Sequence, residues 1–139
     1  MPRTIFVNLP VQDVAAATRF YEAIGCVQNP QFSDEQSSSM VWSDAITFQL
    51  LATDYFATFT PKAIADARAV SEVLLALTRD SRAEVDAIVE AAAGAGGRAD
   101  VRAPSDMGWL YNRTFEDPDG HVFEAIWADM AAMPADEAG

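Results

Sequence analysis

The sequence predicts an α+β fold: two βαβββ modules forming a curved mixed sheet around a pocket. Three observations carry this. The chain reads strand, helix, three strands, and then the same order again. Each helix has an acceptor at its start and glycine at its end, and a tight turn joins the last two strands. At 139 residues there is enough chain for one buried core and too little for two independent ones.

In the first module, about 4–52, Ile5, Val7, Leu9 and Val11 alternate with Phe6, Asn8 and Pro10, which is strand periodicity. Asp13 caps a helix carrying Val14, Ala17, Thr18, Tyr21 and Ile24, and Gly25 ends it. Strands are expected at about Cys26–Phe32, Ser39–Ser43 and Ile46–Ala52. A connector, 53–69, carries Tyr55, Phe56 and Phe59 before turning helix-like; these rings fit a lid, a dimer interface or a packed linker.

The second module, about 70–128, opens with Val73, Leu75 and Leu77 alternating with Glu72, Leu74 and Ala76. Ser81 and Glu84 have capping-box spacing, and Val85, Ile88, Val89 and Ala92 form a helical stripe. Gly94, Gly96 and Gly97 stop that helix; with no strand before them they are not a phosphate loop. Strands follow near Arg98–Arg102, Trp109–Glu116 and His121–Trp127, the last two joined by Asp117-Pro118-Asp119-Gly120. The two modules make a single domain, 1–128, and residues 129–139 read as a flexible tail.

The formal net charge of −12 repels phosphate backbones and anionic lipid, so neither nucleic acid nor membrane is an expected partner. No apolar run reaches the roughly 18 residues of a membrane helix, and no signal-peptide pattern opens the chain. Cys26 is the only cysteine, expected as a buried structural thiol, and a cytoplasmic location follows as the simplest expectation.

The opening I-F-V-N-L-P-V-Q-D-V, running into R-F-Y-E-A-I-G, and the ending F-E-D-P-D-G-H-V-F-E resemble the vicinal oxygen chelate superfamily. That superfamily holds glyoxalase, bleomycin-resistance and dioxygenase-like proteins. Within it, N-L-P-V and the Y-x-R-x-F-x-D pattern resemble a branch of predicted lactoylglutathione lyases. The resemblance implies four metal-ligand positions, which fall on Phe6, Gln49, Glu72 and Glu124. Phenylalanine cannot ligate, which leaves Gln49, Glu72 and Glu124 as oxygen donors.

Two functions follow from the resemblance. In a metal-assisted lyase or isomerase, Glu72 and Glu124 would serve as ligand and base on a small oxygenated substrate. Without imidazole, the cation would be magnesium, manganese or calcium ahead of zinc. In the alternative, a metal-free protein binds or sequesters a small molecule. Phe6, Asn8, Trp42, Phe56, Asn112, Arg113 and Thr114 are the expected pocket residues. Arg113 breaks the alternation of its strand and reaches either a helix carboxylate or an anionic ligand. His121, the only histidine, alternates to the face opposite Glu124 and reads as structural, which argues against an iron dioxygenase. Each module leaves a sheet face to be covered by the other module or by a second chain, or left as a cleft. The resemblance, whose members pair modules across chains, implies a homodimer, and a small-molecule ligand is the other expected partner.

Overall fold

The computed structural model describes residues 3–134. The chain divides into two compact units, Met1–Val70 and Ser71–Gly139. In the first, the strands are β1 (Ile5–Val11), β2 (Val27–Gln28), β3 (Ser37–Val41) and β4 (Ile46–Ala52), in the order β1-β4-β3-β2. β1 lies parallel to β4 and the other pairs are antiparallel. Helix α1 (Val14–Ala23) packs on β3 and β4. Asp13 caps it by accepting from the Ala16 N–H at 3.0 Å. Gly25, at φ 113°, turns the chain away from it.

Alternation then sorts the residues. Leu9, Val11, Met40, Phe48 and Leu50 are buried on the helix side with Ala17, Phe20 and Tyr21. Tyr21 meets Phe48 with ring centroids 5.6 Å apart. Cys26 is buried here, and desolvation pushes its thiol up to about 12. A native protein at neutral pH should therefore resist iodoacetamide and become alkylated only in denaturant. Mass spectrometry checks this, and rapid native labelling would contradict it.

The second unit has β5 (Leu75–Thr78), β6 (Arg98–Ala99), β7 (Ser105–Asp106), β8 (Leu110–Glu116) and β9 (Val122–Ala128), in the order β5-β9-β8-β6 with β7 also on β8. β5 and β9 are parallel, the rest antiparallel. Helix α3 (Arg82–Gly94) covers one face; α2 is the short helix Thr53–Phe56 of the first unit. Ser81 caps α3 through the Glu84 N–H at 3.1 Å, while the Glu84 carboxylate pairs with Arg79 instead of closing the capping box. In the final hairpin, Asp117 accepts from the Asp119 and His121 N–H groups and Gly120 takes φ 94°.

Several expectations change. The strand expected from residue 72 starts at Leu75, because β9 offers partners only from Leu75 onward. The strand expected at Arg98–Arg102 stops at Ala99, where Asp100 takes a left-handed φ of 54°. β7 was not anticipated at all. In the connector the aromatic segment is itself the helical part: α2 runs into a 3-10 turn at Ala57–Phe59, and Tyr55 meets Phe59 edge-on at 5.1 Å. Of the expected tail, Met130–Ala132 forms a 3-10 turn capped by Asp129, and residues 135–139 lie outside the described residues. No helix among the described residues is long and apolar enough to cross a membrane.

Candidate functional site

In the first unit, alternation puts Phe6, Asn8 and Gln49 on the face away from α1. Asn8 stands in register with Gln49, and Phe6 with Thr47. Phe6 is more than half exposed. The Gln49 amide donates to Ser37 Oγ and to the Phe32 carbonyl, tying the 29–36 loop to the sheet. Trp42 is a correction. It continues the Ser38 and Met40 side of its strand, and its ring reaches within 3.7 Å of where a Cβ on Gly25 would stand. It therefore sits at the end of α1, away from Gln49. Phe56 is half-buried on α2, which packs against β1 and β4.

In the second unit, Asn112, Thr114 and Glu124 share the face opposite α3, and Thr114 pairs directly with Glu124. Arg113 takes the first of its two alternatives, the helix carboxylate, because alternation turns it to the α3 side and away from the expected pocket. There it donates to Asp86 at 2.9 Å, Glu90 at 3.3 Å and Asp100 at 2.8 Å, so its donors are held by carboxylates of the fold. Beside it the Tyr111 hydroxyl donates to Asp86, and Arg82 lies over the Tyr111 and Trp127 rings while gripping Asp106. These contacts fasten α3 and the β7 loop to the sheet.

Glu72 departs from its expected place. It is exposed and precedes β5, and the residue that β5 sets beside Glu124 is Ala76. Glu124 has another partner. Arg102, from the loop between β6 and β7, donates Nη2 to Glu124 Oε1 at 2.6 Å. Periodicity put Arg102 at the end of an expected strand and could not find its role, since the strand stops at Ala99 and Arg102 reaches its partner only after the turn at Asp100.

This donor set does not fit a resident divalent metal. Phe6 has no donor atom, Gln49 offers only a neutral amide oxygen, and Glu72 lies outside the strand. A guanidinium already supplies the positive charge at Glu124. Among the described residues no three His, Cys, Asp or Glu side chains converge as a metal-binding group.

Comparisons with known proteins agree with the architecture. Residues 4–125 match the family described as Glyoxalase/Bleomycin resistance protein/Dioxygenase superfamily. No curated protein matches significantly. Among solved structures, a hypothetical protein from S. aureus is 26% identical, with a TM-score of 0.74 over 91% of this chain and 94% of that one. A glyoxalase-related enzyme from Fulvimarina pelagi is 20% identical, with a TM-score of 0.75 over 91% and 88%. A bleomycin resistance determinant encoded on transposon Tn5 is 21% identical, with a TM-score of 0.62 over 93% and 100%. The last two likenesses are of fold. With the family match spanning nearly the whole sequence and both strand orders in place, the chain belongs to the Glyoxalase/Bleomycin resistance protein/Dioxygenase superfamily.

Proposed function

We propose that this chain binds a small organic molecule without a resident divalent metal, in the manner of a binding or sequestering protein. The observation that carries this reading is the Arg102–Glu124 pair at 2.6 Å. A carboxylate intended for a metal needs its lone pairs free for the ion; here a half-exposed guanidinium claims one oxygen and neutralises the charge. The metal-assisted lyase reading needs two carboxylates on one ion, and Glu72 lies ahead of the strand that pairs with Glu124. Elemental analysis of protein purified without an affinity tag tests the reading. The expected result is no stoichiometric magnesium, calcium, manganese, zinc, nickel or iron; a full equivalent of any of them would overturn it.

The same reading includes a homodimer. Ile5 and Phe6 on the edge strand β1, and Val73 and Leu74 just ahead of the edge strand β5, each expose more than half of their surface. Apolar side chains at sheet edges favour pairing with another chain. Light scattering at micromolar concentration should give twice the chain mass, and a monomer would contradict the assignment.

A further inference from the structure

Between β6 and β7 the chain crosses from one face of its sheet to the other. Asp100 makes the crossing in a left-handed conformation that an aspartate adopts at a cost, and its carboxylate bonds Arg113 on the α3 side. Two residues later, Arg102 sends its guanidinium to Glu124 on the opposite face. Thr114, almost fully buried, fastens both ends of this step. Its carbonyl accepts from the Asp100 N–H at 2.7 Å, and its hydroxyl from the Arg102 N–H at 3.2 Å. Arg102 is thus a cation whose backbone is pinned to the sheet. Among the described residues its guanidinium donates only to Glu124, through Nη2, so Nε and Nη1 keep unspent donors.

The neighbouring strand pair on this face carries a second unmet need. Asn112, opposite Ile126, has a buried Oδ1 with no hydrogen-bond partner among the described residues. A buried acceptor left unpaired is costly, and because this one is closed to solvent a ligand's donor reaches it only when the side chains around it open. Around these groups the face is modestly apolar, with Ala76 beside Glu124 and the half-buried Ile126 beside Asn112.

We propose that Arg102 is the anion-recognition residue of this chain. Its guanidinium, steadied by Glu124, receives the carboxylate of a small organic acid, and Asn112 Oδ1 accepts from a hydroxyl or amine on the same molecule. The inference rests on the metal-free reading above and names its ligand class. The planar fork of arginine matches a carboxylate in two parallel bonds. A monoanion suits the place better than a phosphate dianion, because Glu124 and a net charge of −12 penalise each further negative charge.

The test is calorimetry on tag-free protein dialysed against chelator. The probes are 3- and 4-hydroxybenzoate, benzoate, and the two hydroxybenzamides, in which a neutral amide replaces the carboxylate. At least one hydroxybenzoate should bind the parent, with its amide about tenfold weaker, the size of one charge-assisted hydrogen bond. Arg102→Gln, checked for folding by circular dichroism, should bind acid and amide alike. Arg102→Lys, which keeps the charge without the fork, should recover part of the preference. Asn112→Ala should weaken the hydroxybenzoate while leaving benzoate unchanged. Binding of none of the probes, equal affinity of the parent for acid and amide, or a preference that survives Arg102→Gln would overturn the inference. Binding that appears only after manganese is added would instead overturn the metal-free reading, whereas metal-independent binding blind to Arg102 would sink this inference alone.

Discussion

Arg113→Ala should destabilise the protein by about 2 to 3 kcal/mol, as expected for removing a buried guanidinium shared by partly exposed carboxylates. The Arg113 side chain is 12% exposed and ties Asp86 and Glu90 of α3 to Asp100 of the β6–β7 loop. Truncation leaves three carboxylates without their shared cation. Asp86 and Glu90 are half-exposed or more, so water repays part of the loss, which keeps the figure below that of a fully buried pair. The effect should depend on pH. The Tyr111 hydroxyl and then Arg113 hold the Asp86 carboxyl below the usual range, and Arg113 does the same for Asp100. A carboxyl whose folded pKa is depressed contributes stability that is complete above its unfolded value, and loses it as pH falls through the folded value. Urea denaturation should therefore show the largest gap between parent and variant at neutral pH and a smaller one near pH ~3. A gap below about 0.5 kcal/mol at neutral pH would show that the cluster carries no stability.

Phe123→Ala should cost more, about 3 to 5 kcal/mol, as expected for emptying a large ring from a packed core. Phe123 is fully buried and in register with Phe115, the two rings stacking at 5.1 Å and 4° between planes. Fully buried Val85 and Val89 on α3, which packs against β9, leave the cavity little freedom to collapse. Phe123→Leu should recover roughly half of the loss, because it restores part of the volume. The same urea series measures both, and a loss under about 1 kcal/mol for the alanine variant would mean that the core relaxes around the gap.

These two residues also mark how far the sequence could be read. Phe115 and Phe123 announce their strands by alternation, while Asp13, Ser81 and the Asp117–Gly120 turn announce the element ends. That chemistry is local, and the structure keeps it. What failed was set by distant partners. Glu72, Val73 and Leu74 alternate like a strand, yet pairing with β9 begins only at Leu75, so Glu72 lost the position assigned to it. Arg113 was legible as a residue on the aromatic side of its strand, but its choice between a helix carboxylate and a ligand depended on Asp86, Glu90 and Asp100. Trp42 followed the side of Met40 toward Gly25, a contact that composition cannot show. The alternation that aligned Phe6, Asn8 and Gln49 on one face was readable. The hydrogen bonds from Gln49 were not, because the one to Ser37 depends on the register of β3 on β4 and the one to the Phe32 carbonyl on where the 29–36 loop folds back. Arg102, the residue on which the functional reading turns, reaches Glu124 through a backbone conformation that aspartate seldom adopts.

That functional reading stands or falls on the charge state of one carboxylate's surroundings. Titration of manganese and of zinc into tag-free protein by calorimetry tests it most directly, with Glu124→Gln as the reference for a site stripped of its carboxylate. If Arg102 fills the cation's role at Glu124, parent and variant will give the same weak, non-saturating heats. A saturable one-to-one isotherm for the parent, lost in Glu124→Gln, would contradict the account.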